Sequence, residues 1–492
     1  MTLRHQTIKG VAWNSIGRIS NQALQFGLSV ILMRLLSPSD YGLLAMAMVV
    51  TGFAGIFNEF GLGSAIIQRK QIAEQQLSTV FWLNMGIGAG ITLLFWTTAP
   101  WIADFFHTSN LRAVLQWLSF IFLLGAASVV PGALLQRKMR FDQLTKISVV
   151  GTAISGLVAV YMAYTGWGVM SLVAQSLING LVVLPLNYRA AGWYPKWMFS
   201  WQKVRPLFSF SAYLTGFNVI NYWARRSDDL LIGKWMGAAS LGIYSRAYNL
   251  MLLPITQIIS LVSNVMLPAL SSVQDQKERV KSIYLRVIQV IAFLSFPMMV
   301  GLCVTADDFI LGIFGQKWVE VVPLIRILSI VGLLQSVGNP TGWIYLSQGK
   351  TDWMFWWGVF GSGTVVIALV IGALMGSVYT VAIAYLIVNV LLLYPVNAIP
   401  GKLIGLGFME LVVKLLPMLG TSLLMGVSVW AIHNFLPSAW PHVYRLMIEV
   451  GSGIALYLIF TIVFRLEVLH QMQLLLQDKS LIRKSKTQQL VI

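Results

Sequence analysis

Cysteine and charge are what this chain has least of. A single cysteine, Cys303, lies in an apolar segment, so no intrachain disulfide can form and nothing points to redox chemistry. Only 10% of the 492 residues are charged, against roughly a quarter in soluble domains; water is not the main solvent of this protein. The five histidines are scattered, and no metal-ligand spacing is visible. Nor does the sequence contain a nucleophile elbow, a phosphate-binding glycine loop, a paired-carboxylate hydrolase spacing or an ATPase motif. Loops between apolar runs stay under about twenty residues, too short for a catalytic domain outside a membrane. The expectation is therefore a protein that is not an enzyme and needs no cofactor or metal, with any energy drawn from gradients or from consumption of a product.

Apolar residues are abundant instead. They form 57% of the chain, and mean hydropathy is +0.75. Runs of eighteen or more recur, each long enough to cross a bilayer core of about 30 Å. About fourteen spans begin near Gly10, Tyr41, Leu77, Ala113, Lys146, Gly168, Pro206, Leu241, Ile283, Val321, Trp353, Ser377, Leu411 and Val443. The expected fold class is all-α, a polytopic membrane protein of about 14 transmembrane helices. The opening MTLRHQTIKG lacks a small-residue cleavage site and reads as the start of a first membrane helix rather than a signal peptide.

A net charge of +17 raises nucleic acid as a partner, but the basic residues fall in short segments between apolar runs rather than on one soluble face. Alternate connections carry them: Arg69 and Lys70; Arg137, Lys138 and Arg140; Lys277, Arg279 and Lys281; and the tail from Lys479. Cytoplasmic loops collect Lys and Arg, which predicts both termini in the cytoplasm.

The chain also repeats itself. RLLSPSDYG from Arg34 and KWMGAASLG from Lys234 lie 200 residues apart; GWGVMSLVAQSLINGLVVLPLN from Gly166 and GSVYTVAIAYLIVNVLLLYPVN from Gly376 lie 210 apart. The second match pairs Asn179 with Asn389, Pro185 with Pro395 and Asn187 with Asn397. The near-constant offset predicts six-helix bundles over 1–202 and 203–402, two additional transmembrane helices over 403–465 and a basic cytoplasmic tail over 466–492. Two parallel six-helix repeats related by an axis along the membrane normal describe a V-shaped alternating-access transporter with its substrate between the halves.

The first span of each half is polar along one face. Asn14, Arg18, Asn21, Gln25 and Ser29 follow at steps of three and four; so do Ser211, Thr215, Asn218, Asn221, Arg225 and Asp228 or Asp229. Such steps share a helix face, and the two faces are expected to line one water-filled cavity. Arg246 in the eighth span and Glu59 at the end of the second extend the set, since ionisable groups in a span are costly and usually face a cavity. In NYWARRSDDLLIGKW, from Asn221, Arg225 falls roughly 29 Å beyond Pro206 at 1.5 Å per residue, near the outer end of its span. Arg225, Arg226, Asp228 and Asp229 can pair at i+3 and i+4. They read either as mutually neutralising pairs holding the helix end or as an outer gate opened by an anionic substrate; Asp228, Asp229 or Glu59 could also couple protons. Arg18 reads either as cavity-facing or as snorkelling to the interface. Arg246 reads as cavity-facing or interfacial. Tyr222 and Trp13 could stack on sugar rings.

LLSPSDYGLLAMAMVV, FGLGSAIIQRK and FWLNMGIG, with FGQKWVEVVPLIRILSIVGLLQSVGNP further on, resemble bacterial polysaccharide-export flippases. The likeness is closest to exporters of the colanic-acid and amylovoran type, in the superfamily of multidrug efflux antiporters and the lipid II flippase. It implies a flippase for an undecaprenyl-pyrophosphate-linked oligosaccharide repeat unit in the bacterial inner membrane. The implied partners are that lipid-linked oligosaccharide, membrane lipid, and the polymerase and chain-length regulator of the same pathway. Arg18, Arg225, Arg226 and Arg246 are the candidates to receive pyrophosphate or uronate groups, with Asn21, Gln25, Asn218 and Asn221 for sugar hydroxyls. The rival readings are a cation-coupled multidrug antiporter, which would favour a carboxylate-rich cavity, and a membrane polymerase or ligase, which would need a long outer loop.

Overall fold

A computed structural model of the chain describes residues 3–59, 63, 66–67 and 72–466; side chains of 3–16, 18–19, 58–59, 202–221, 224–225, 261 and 264 are also left undescribed. Every regular element among the described residues is a helix. That follows from the solvent: in hydrocarbon each backbone polar group needs an internal partner, and a helix supplies it within one segment.

The first compact unit runs from Met1 to Ser245. It contains α1 (Leu3–Leu35), α2 (Pro38–Glu59), α3 (Glu74–Phe105), α4 (Leu111–Leu118), α5 (Phe120–Arg137), α6 (Phe141–Tyr164) and α7 (Val169–Ala191), and takes the front of α8 (Trp201–Ser271). Within it α6 packs on α1 and α7, and α5 on α3 and α7. Val80, Phe81, Val130, Leu135 and Trp193 share one apolar core there. The second unit, from Arg246, takes the rest of α8, then α9 (Lys277–Val304), α10 (Ala306–Phe309), α11 (Val321–Gly338), α12 (Gly342–Ser347), α13 (Thr351–Leu374), α14 (Val378–Leu403), α15 (Phe408–Phe435) and α16 (His442–Val463). Here α9 packs on α11 and α15, and α14 on α11 and α13; Ile288, Phe296, Met418 and Tyr457 belong to the core.

Among the described residues, eleven helices are long and apolar enough to cross a membrane, and a twelfth if the bent pair Arg226–Ser260 and Val265–Ser271 is one span. The expected fourteen is not reached by that criterion; α1 and the part of α8 before Arg226 fall outside the count. The compact units divide after Ser245. The reason is local: Tyr222 and Tyr244 of α8 bond to partners within the first unit, which ties this part of the helix to it.

The repeated phrases have physical content. In LLSPSDYG, Ser37 ends the first span and caps the second: its N–H and hydroxyl donate to Asp40 Oδ2 at 2.9 and 2.6 Å, and Pro38 takes the first helical position, a reciprocal cap with proline where no N–H is needed. Two hundred residues on, Gly237 breaks α8 with φ 81°, so the two arms of α8 correspond to α1 and α2. The glycines cross reciprocally. A Cβ on Gly42 would stand 1.6 Å from the Ala238 carbonyl oxygen, and one on Gly242 would stand 1.8 Å from that of Pro38. Only hydrogen fits at either place. The other match behaves likewise: Gly166 and Gly376 follow the C-caps of α6 and α13 at φ 88° and 81°, the left-handed position glycine fills without strain. Asn187 and Asn397 are both buried.

Candidate functional site

The polar stripe of α1 divides along its length. Gly17, Asn21 and Leu28 turn toward α6: a Cβ on Gly17 would meet Thr145 at 2.1 Å, Asn21 Nδ2 donates to Ser148 Oγ at 3.2 Å, and Leu28 fills the space left by Gly156. Asn21, partly buried, thus takes part in the contact between α1 and α6. Gln25, one turn on, is exposed, and on a membrane helix an exposed amide needs a polar surrounding. Arg18 lies seven residues earlier, within about 20° of the same azimuth, but its side chain lies outside the described residues. So do those of Asn218, Asn221, Arg225 and Glu59.

The charges of α8 that are described form a compact set. Arg226 Nη1 donates to Asp229 Oδ2 at 2.7 Å across one helical turn, with the arginine side chain 45% exposed and the aspartate 9%. Asp228 is buried. It accepts from the Asp229 N–H at 2.9 Å and from the Tyr244 hydroxyl at 3.3 Å. That second bond spans the Gly237 break and ties the two arms of α8 together. The cluster stands eight to eleven residues before the break, roughly 12–16 Å along the helix. Beyond it α8 continues helically through Lys234, whose ammonium lies 4.4 Å above the Phe105 ring and bonds to the Phe105 carbonyl.

Tyr222 turns its hydroxyl onto α2. It donates to Val49 O at 2.7 Å, directly over Gly52, where a Cβ would stand 2.6 Å from it. Phe53 packs on the neighbouring Trp223 at 5.1 Å. This aromatic group closes α8 on α2. Trp13 lies outside the described side chains. Arg246 is half-buried in α8.

A second cluster went unnoticed in the sequence. In the second unit Asp308, His433, His442, Arg445 and Glu449 converge from α10, the end of α15 and the start of α16. Scattered histidines gave no ligand spacing, but His442, Arg445 and Glu449 follow at steps of three and four and share one face of α16; that spacing was the available signal.

The apolar helices of this fold make it a polytopic membrane protein, with an arginine and an amide open on its helices. The structure resembles the lipid II flippase MurJ in an inward closed conformation, with TM-score 0.72, 16% identity, 92% of this chain and 98% of that one covered. It also resembles an inward-facing multidrug resistance MATE family transporter of the MOP superfamily, with TM-score 0.59, 14% identity, and 78% and 94% covered. The chain belongs to the polysaccharide biosynthesis protein family, whose model matches residues 31–323. Its relatives include the lipopolysaccharide biosynthesis protein WzxC of Escherichia coli (strain K12), 29% identical with 80% of each chain covered, and the teichuronic acid biosynthesis protein TuaB of Bacillus subtilis (strain 168), 29% identical with 79% and 81% covered. The succinoglycan biosynthesis transport protein ExoT of Rhizobium meliloti (strain 1021) is 26% identical, covering 98% of this chain and 96% of its own. The chain is accordingly a multi-pass membrane transport protein of the flippase type in polysaccharide biosynthesis.

Proposed function

We propose that the protein flips an undecaprenyl-pyrophosphate-linked oligosaccharide repeat unit across the bacterial inner membrane, with both termini cytoplasmic. The head of such a lipid is too hydrophilic to cross hydrocarbon, and its tail should never leave it. The observation that carries the reading is the Arg226 guanidinium, half-exposed on a membrane helix and held by a single carboxylate. A diphosphate competes well for it, because a planar guanidinium gives charge-assisted, paired hydrogen bonds to phosphate oxygens. Arg18 and Arg225 share the polar faces of their helices by spacing and are assigned the same anion; Gln25 serves sugar hydroxyls as donor and acceptor.

In this mechanism Asp229 holds Arg226 while no substrate is present, and the pair parts as the diphosphate arrives. Asp228, Asp229 and Glu59 are the gating or coupling set. A polymerase and a chain-length regulator would take the product on the far side. Colanic-acid-like exopolysaccharide is the substrate class that the sequence resemblance implies.

The test is export of polysaccharide by a strain relying on this chain. Arg226→Ala and the double variant Arg18→Ala/Arg225→Ala lower export about tenfold or more, with insertion into the membrane unchanged. Full export by the double variant removes the diphosphate-receptor role. The rival antiporter draws on the buried Asp228; cationic-drug resistance that rises with expression and disappears in Asp228→Asn would favour it.

A further inference from the structure

Beyond the transport residues, the second unit contains a group of side chains with no assigned task. One oxygen of Asp308, one ring nitrogen of His433 and one oxygen of Glu449 lie within 4.8 Å of one another. The fold works to bring them there. After α10 the chain makes a single π turn, Ile310–Phe314, a device common at functional sites. Gly312 within it lies against the start of α16, where a Cβ would stand 3.1 Å from the Val443 nitrogen. The turn therefore rests directly on α16 and delivers Asp308 to it.

The contacts exceed what one proton can satisfy. His433 Nδ1 stands 2.6 Å from Glu449 Oε1, 3.2 Å from Asp308 Oδ2 and 3.3 Å from Arg445 Nη2. A ring nitrogen has one hydrogen or one lone pair, so it serves one of these three. Asp308 and Glu449 are buried, with side chains 1% and 0% exposed, yet Asp308 Oδ2 and Glu449 Oε2 have no hydrogen-bond partner. Arg445 reaches Asp308 Oδ2 only at 3.5 Å through Nε, without hydrogen-bond geometry. Buried carboxylate oxygens left this way are costly.

We propose that Asp308, His433 and Glu449 bind a divalent first-row transition cation, with His442 positioning Asp308. One such ion satisfies all three ligand atoms at once. Zn–N and Zn–O bonds of about 2.0–2.2 Å place tetrahedral ligands roughly 3.3 Å apart, so the His433–Glu449 contact of 2.6 Å opens by about 0.7 Å on binding. His442 Nδ1 lies 2.6 Å from Asp308 Oδ1 and turns the other oxygen toward the ion, as partners of metal-binding carboxylates do. Imidazole with carboxylates suits zinc or iron better than calcium or copper(I). His433 and His442 are 25% and 42% exposed, which gives the ion a path from solvent. The ion pins α10 to the α15–α16 hairpin.

Zinc is the probe. The full-length protein in detergent, stripped with EDTA and mixed with ZnCl2, retains about one equivalent after desalting, and its thermal midpoint rises; magnesium does neither. Asp308→Asn and Glu449→Gln lose retention, His442→Gln binds about 10–100-fold more weakly, and Asp307→Asn on the adjacent exposed residue retains it. Cobalt bound to the wild-type protein shows d–d absorption, a readout that needs no variant to fold. Absence of both zinc retention and the cobalt bands overturns the proposal and leaves a proton-bridged clasp. Undiminished retention by Asp308→Asn and Glu449→Gln places the ion elsewhere and overturns it equally.

Discussion

The charges of α8 and those around Asp308 are two answers to the problem of ionic groups in an apolar protein. Arg226 and Asp229 are three residues apart on one helix, and the guanidinium is nearly half in the open. Asp308 and Glu449 come from different elements, are closed off from solvent, and meet imidazoles and one arginine. The exposed guanidinium of the first pair can exchange partners at modest cost, because its charge is screened and can be rehydrated. A buried group cannot: removing one member leaves an uncompensated charge where nothing can solvate it. The first arrangement suits a ligand that comes and goes. The second suits a junction that stays shut.

The comparison can be broken by measuring what each residue is worth. Asp308→Ala carries the largest expected effect, a loss of about 3–5 kcal/mol seen as a marked drop in the thermal midpoint of the detergent-solubilised protein. Tyr244→Phe comes next. It removes the hydroxyl that reaches buried Asp228 across the Gly237 break, and an unsatisfied buried acceptor costs about 1–3 kcal/mol. Arg226→Ala is expected to cost less than Asp308→Ala, because the guanidinium it removes is 45% exposed although Asp229 beside it is not, while export falls. Destabilisation by Arg226→Ala equal to that of Asp308→Ala would erase the distinction and make the α8 cluster a structural one.

The repeat offset in the sequence already carried much of the fold. The offsets pair Gly42 with Gly242 and Gly166 with Gly376, and in the structure the first pair makes one reciprocal crossing and the second two left-handed turns, because positions where only glycine fits impose themselves on sequence. The Arg226–Asp229 pair was legible for the same local reason: i+3 spacing on a helix is enough. Asn21 was not, since polar residues at helical spacing look alike whether they face water or, as here, Ser148 on a neighbouring helix. The Asp308 cluster was hidden for a third reason. Its members sit in three separate stretches of sequence, and only the π turn and the α15–α16 hairpin bring them together.

Two adjacent aspartates give the finest test of the contrast. Asp307 pairs with Arg326, and both side chains are substantially exposed, 38% and 48%; Asp308, the next residue, is buried among His433, His442 and Arg445. One step along a short helix turns a side chain by about 100°, which here separates open surface from a sealed junction. Asp307→Asn removes a charge of the same type from the same turn, yet an exposed pair is worth only about 0–1 kcal/mol. The expected shift in the thermal midpoint is therefore small, and smaller at higher salt, where screening has already weakened the pair. Parallel melts of Asp307→Asn and Asp308→Asn over a salt series check this. A shift for Asp307→Asn comparable to that of its neighbour would mean that burial does not govern the cost of charge loss at this end of the unit.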